Sequence, residues 1–414
     1  MRDVTNRTSL FSLPLSHSAT QPLNSLSLSV CIHFASVMEG VAVLREEQMP
    51  MHADAVAFLP LGAAGAADDT QILACGCYEL DEASNTRRGL LRLYALPSNA
   101  MHVTDDETRD IDDEKKTSAS IVQTWESRTP GVFDLTWSHP HGSEAPLLAV
   151  AGADGSVSVY RACEALRRAE MRARVLLRPD DAEGGEAAHA CLCASWMRED
   201  TIAASHASGD VSIVQIRGAS AVEERRWRAH SLETWAVHAM PQNDGSRANC
   251  VLFTGADDCA FKCWDVRCGG DGAAMDMSPI FSNSKEHTAG VTCISVSPHE
   301  THHVATGSYD ERLRVWDLRS TRRPLATTCI DAGGGVWRLR WHPERRDLLL
   351  TACMHAGFKV LPAEGGEPLC EYTRHESLAY GVDWQPASGR SDTMLVATCS
   401  FYDRAYHMWT LGQL

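Results

Sequence analysis

Short apolar runs that end near a proline recur along the chain: Val132 to Pro140, Thr234 to Pro241, Gly290 to Pro298, Gly335 to Pro343 and Ala379 to Pro386. Ala190 to Met197 fits the same pattern without the proline. A second apolar run follows each, then a polar turn, then a third run ending in a large side chain. In three of these units the turn aspartate stands six residues ahead of a tryptophan: Asp258 and Trp264, Asp310 and Trp316, Asp403 and Trp409. Asp154 with Tyr160 and Asp210 with Ile216 keep the offset with other apolar residues, and His355 with Leu361 keeps it without the aspartate. Successive turns lie about 45 to 56 residues apart. Runs this short, bounded by turn residues, read as strands, and repetition at this period reads as a ring of small sheets.

The fullest unit, Thr306 to Asp317 with the sequence TGSYDERLRVWD, resembles a WD40 repeat. In that family His, Ser or Thr, Asp and Trp form one hydrogen-bond chain; the resemblance implies His287, Ser308, Asp310 and Trp316 here. It also makes His375 the structural histidine of the last unit and commits Asp403 to its own blade. Six blades follow from the repeats. Asp54 to Pro60, Gln71 to Tyr78 and Gly89 to Leu96 supply the inner strands of a seventh, with a polar insertion from Glu79 to Arg88 in place of the tight turn. Val41 to Leu44 then forms the outer strand of the last blade, joining the two ends and removing two open sheet edges. The expected fold is all-β, a single-domain seven-bladed WD40 β-propeller over residues 39–414. Residues 1–38, rich in Ser, Leu and Thr, read as a disordered extension, with Met38 as a second possible start.

Residues 101–116 carry seven acidic side chains and read as a disordered linker. Arg161 to Arg174 has helical composition and reads as an insertion or irregular outer strand, and Asp180 to Glu186 and Gly269 to Ala274 read as surface loops. A net charge of −16 opposes nucleic-acid binding and suits solubility. Fifteen cysteines fall mostly inside strand patterns, which indicates reduced, buried thiols and a cytoplasmic protein. No apolar run reaches the length of a membrane span. The expectation is a monomer without cofactor or metal.

No G-x-S-x-G elbow, Rossmann glycine motif or Walker loop occurs. His299-Glu300-Thr301-His302-His303 matches H-E-x-x-H, but Pro298 before it and a strand after it put it on a loop, where the two histidines lack helical spacing. Phe133, Trp235, Trp337 and Tyr380 each follow the first residue of an inner strand, with Thr292 at the fifth such place. They form either a channel plug or an aromatic collar that holds a modified side chain of a partner. His355 replaces a turn aspartate and has no structural obligation of that kind, which makes it the best general-base candidate.

Leu348 to Leu361 (LLLTACMHAGFKVL), Ala397 to Trp409 (ATCSFYDRAYHMW), Gly333 to Pro343 and Ser377 to Gln385 together resemble the diphthine methylesterase family of WD40 proteins. The resemblance is dense over 290–409 and thinner over 131–267. It implies an esterase whose partner is translation elongation factor 2 and whose substrate is the methyl ester of methylated diphthine, in diphthamide biosynthesis. No recognisable S-adenosylmethionine site occurs, which favours hydrolysis over methyl transfer. His355 is expected to activate water, or Ser400 or Cys353; Arg338, Arg404 or backbone N–H groups are expected to hold the oxyanion, and Tyr402 and Arg404 to contact substrate. The competing class is a non-catalytic WD40 adaptor, since the fold by itself does not imply an enzyme.

Overall fold

The computed structural model describes residues 41–412 apart from 61–69, 97–120, 140–144, 164–166, 178–185, 241–249, 269–276, 320–323 and 387–392. The N-terminal extension, the acidic linker and the loops at 180–185 and 269–274 thus lie outside the described residues. The β-rich runs pair as seven four-stranded antiparallel sheets. Their inner strands, blades 1 to 7 in order, are His52–Phe58, Val132–Trp137, Cys191–Arg198, Ala236–Ala239, Val291–Val296, Arg338–Trp341 and Ala379–Trp384. Blade 7 is completed by Val41–Gln48, which pairs with Ala405–Leu411 from Val41↔Leu411 to Gln48↔Ala405. The ring closes as expected, with a closing strand longer than Val41 to Leu44.

Buried side chains fall into seven clusters, each drawn from two neighbouring blades. A sheet apolar on both faces buries them only between two others, so the core is a set of blade joints rather than one central mass. Glycine permits the tightest approaches. A Cβ on Gly76, Gly255 or Gly307 would lie 2.4 to 2.5 Å from a valine that opens the next inner strand or stands two residues ahead of it: Val132, Val291 or Val336.

Two expectations change and one pair of alternatives is decided. The stretch from Glu79 to Arg88 is not an unpaired insertion: Gln71–Asp81 and Thr86–Leu96 stay paired to Asp81↔Thr86, so only four residues turn, with Asn85 at φ 53°. Of the two readings of Arg161 to Arg174 the irregular outer strand holds: Arg168–Leu176 pairs with Ser156–Cys163 as the outer strand of blade 2, with a register shift at Val159/Tyr160. In blade 5 the linking hydroxyl belongs to Thr306, not Ser308. His287 Nε2 lies 2.9 Å and Trp316 Nε1 2.8 Å from Thr306 Oγ1, whereas Ser308 donates to the Ala289 carbonyl at 3.1 Å. Strand alternation sends residues 306 and 308 to one face; Trp316 pairs with Val304, so its indole reaches two residues along to Thr306, and Ser308 lies two residues further on.

Candidate functional site at the upper mouth of the channel

Inner strands enter from one face of the ring, here called the upper face, and five of them carry a β-bulge within their first residues. The bulged residues are Asp54, Phe133, Leu192, Thr292 and Tyr380. In blades 4 and 6 the ladder begins two residues later than the sequence pattern suggests, leaving Trp235 and Trp337 just ahead of it. A bulge re-aims its side chain. The rings make one run of contacts: Phe133 to Tyr78 at 4.9 Å, Tyr78 to Phe401 at 5.2 Å, Phe401 to Tyr380 at 4.9 Å, Tyr380 to Trp337 at 4.9 Å and Trp337 to Trp235 at 5.4 Å. Tyr309 joins at Trp337 and His52 stacks on Phe401.

Charged groups stand among and beside these rings. Arg338 is buried, reaches across to the Phe133 carbonyl at 3.1 Å, approaches Asp134 at 3.9 Å, and lies over the Trp337 ring. Asp54 is 1% exposed and its Oδ2 has no hydrogen-bond partner among the described residues. Burial pushes its carboxyl up to about 7, partly offset by the Arg338 guanidinium. With Asp134 beside it and Arg338 the nearby cation, Asp54 sits where burial favours the protonated carboxyl over the charged one. The Trp337 indole N–H and the Tyr309 hydroxyl are also buried without partners among the described residues.

The outer rim holds the remaining candidates. Tyr402 is exposed at 58%. Arg404, at φ 57°, donates to Glu79 at 2.9 Å and to the Pro50 carbonyl. His355 is exposed on the turn between Leu348–Ala352 and Phe358–Pro362, with no hydrogen-bond partner among the described residues. The preceding Met354 packs its sulfur where a Cβ on Gly335 would be, two residues from Trp337.

Ser400 and Cys353 lie deeper, and both are fully buried. The Ser400 hydroxyl sits 2.5 Å from His375 Nδ1 and 2.5 Å from Asp403 Oδ1, while His375 Nε2 reaches Thr398, which also receives the Trp409 N–H. This is the register relay of blade 7. It inverts a catalytic triad, since the serine stands between histidine and aspartate instead of the aspartate orienting the histidine. The Cys353 thiol is pushed up to about 11 by burial and lies 3.1 Å from Thr351 Oγ1.

The model of the WD domain, G-beta repeat matches residues 279–317. A diphthine methyltransferase from Schizosaccharomyces pombe is 30% identical over 82% of this chain and 90% of its own. The chain belongs to the diphthine methyltransferase family. A diphthine methyltransferase homolog from Dictyostelium discoideum is 29% identical over 86% of this chain and 95% of its own. The mouse diphthine methyltransferase is 31% identical over 76% of this chain, which spans 64% of the mouse protein. A chain of a solved mitotic checkpoint complex shares the fold alone, with a TM-score of 0.61 at 16% identity, covering 96% of this chain and 99% of its own.

At the lower end of the channel, this member of the diphthine methyltransferase family has a cavity of about 480 Å³ bordered by Asp134, Arg338, Arg340, Asp383, His139 and His238. On the loop after Val291–Val296, Glu300, His302 and His303 bring one ligand atom each within 4.8 Å of one another. His299 instead turns to the His342 carbonyl, so the two H-E-x-x-H histidines do not converge. Among the described residues no helix is long and apolar enough to cross a membrane.

Sequence reasoning found Phe133, Trp235, Trp337, Tyr380 and Arg338 but missed Asp54, Tyr78, Tyr309 and Phe401. Starting the first inner strand at Asp54 puts Ala55 in the collar position. The strand begins earlier, at His52, and its bulge delivers Asp54.

Proposed function

We propose that this chain hydrolyses the methyl ester of methylated diphthine on translation elongation factor 2, releasing methanol and leaving a carboxylate. Family membership supports the substrate class. The observation that carries the hydrolytic reading is His355, an exposed imidazole without a hydrogen-bond partner among the described residues, at a turn position that holds a bonded aspartate, Asp258, Asp310 or Asp403, in three other blades. A neutral imidazole there takes a proton from water as the oxygen adds to the ester carbonyl, then returns it to the departing methoxide. Arg338 or Arg404 stabilises the oxyanion. Burial of Ser400 and Cys353 favours direct attack by water over an acyl-enzyme.

The test is incubation of the purified chain with elongation factor 2 carrying methylated diphthine, following methanol and the mass of the modified peptide. Loss of one methylene mass is expected, and His355→Ala should lower kcat by about 10²–10⁴-fold with little change in KM. Binding without methanol release supports the adaptor class, and transfer of a labelled methyl from S-adenosylmethionine overturns hydrolysis.

A further inference from the structure

We propose that the aromatic collar and Asp54 form a receptor for a quaternary ammonium cation, with the rings supplying its walls and the Asp54 carboxylate its counter-charge. The collar position is filled in six of seven blades by neutral side chains, four of them aromatic, and in the seventh by an aspartate. Packing alone gives no reason for a carboxylate there. An apolar residue would fill the site without leaving Oδ2 buried and unbonded.

Each feature fits such a cation. Ring faces attract positive charge through their quadrupoles, and a methylated nitrogen suits rings because it has no N–H to satisfy. Arg338 and Asp134 neutralise each other, so the second carboxylate remains for a ligand of single positive charge. A primary ammonium would bring three donors to a wall with few acceptors, whereas a quaternary one brings none. The inference stands on these residues alone. Under the hydrolytic reading it assigns the collar to the trimethylammonium of diphthine, and the rim to the ester.

The charged groups facing Asp54 are Arg338 and Asp134. The hydroxyls of Tyr78, Tyr309 and Tyr380 and the thiols of Cys77 and Cys399 are all shifted upward by burial and stay neutral near pH 7. Cation binding must displace the Asp54 proton, so affinity rises as pH approaches and passes about 7, then levels.

The experiment is titration of the full chain with choline, read by tryptophan fluorescence from Trp235 and Trp337 and by calorimetry, with 3,3-dimethyl-1-butanol as the uncharged isostere. Saturable choline binding at least tenfold tighter than the isostere, lost by tenfold or more in Asp54→Asn and in Trp337→Leu, is expected. Asparagine mimics the protonated acid of the empty protein, so that variant keeps the fold. Equal affinity for the isostere, an unchanged Asp54→Asn, or no choline binding overturns the proposal. Choline binding without ester hydrolysis leaves the receptor standing and removes the esterase. Hydrolysis that persists in Asp54→Asn with unchanged KM does the reverse.

Discussion

Asp54 is unlike the turn aspartates in its energetics. Asp258 accepts from His230 at 2.9 Å and from the Ser231 and Ala260 amides, and although burial opposes it, these bonds hold its carboxyl down at about 2. Such a group stabilises the fold above the unfolded carboxylate pKa near 4, and that stability is lost as pH falls toward 2. Asp54 has the opposite sign. Its folded pKa, about 7, lies above the unfolded value, so its favourable contribution is complete below pH ~4 and is lost as pH rises through 7. Denaturant unfolding at pH 5 and pH 8 should show wild type losing on the order of a few kcal/mol across that range, and Asp54→Asn should flatten the slope. An equal slope in both proteins would mean that the Asp54 carboxyl is not protonated near neutrality.

Between strands, the relay of histidine, threonine and tryptophan fixes the register of blades 4, 5 and 7. Thr254, Thr306 and Thr398 each receive a tryptophan N–H while meeting a histidine Nε2. In blade 5 Arg314 ties His287 to Asp310, with Nη1 2.9 Å from His287 Nδ1 and Nη2 2.9 Å from Asp310 Oδ2. Thr306→Val keeps the shape and leaves the buried indole and imidazole unpaired, so it should cost about 2–3 kcal/mol. Ser308→Ala removes a bond to the Ala289 carbonyl and an acceptor for the Asp310 amide, and should cost nearer ~1 kcal/mol. Midpoints from denaturant unfolding rank the two, and the reverse order would reassign the relay to Ser308.

For the ring as a whole, closure depends on one strand from the far end of the chain. Val41–Gln48 covers the edge of Ala405–Leu411, packs Leu44 against the joint of blades 7 and 1 and Val41 and Val43 against the joint of blades 6 and 7, and places Glu47 between Arg45 and Arg92. Removing residues 1–48 opens a hydrogen-bonding edge and strips side chains from two joints. The truncated chain should show a lower, broader thermal transition and a tendency to associate, measured by calorimetry and light scattering. A transition as sharp as that of the full chain would mean that blade 7 is complete without the closing strand.

The chain's own pattern determined the repeat, the blade count, the closing strand and the four aromatic collar positions, because strand period and turn chemistry are local and recur every blade. Histidine at 355 was legible for the same reason, as a departure from a repeated turn. What only the tertiary structure decided depends on a shift of one or two residues or on meeting across the ring. The bulge in His52–Phe58 moves Asp54 into the collar, Arg338 reaches the carbonyl of Phe133 more than two hundred residues earlier in the chain, and Thr306 displaces Ser308 in the relay. Burial, likewise a property of the assembled ring, raises the Asp54 carboxyl and closes Ser400 and Cys353 off from solvent. A linear pattern records which side chains a blade presents, but the convergence of seven blades on one axis determines which of them share a site and what charge that site carries.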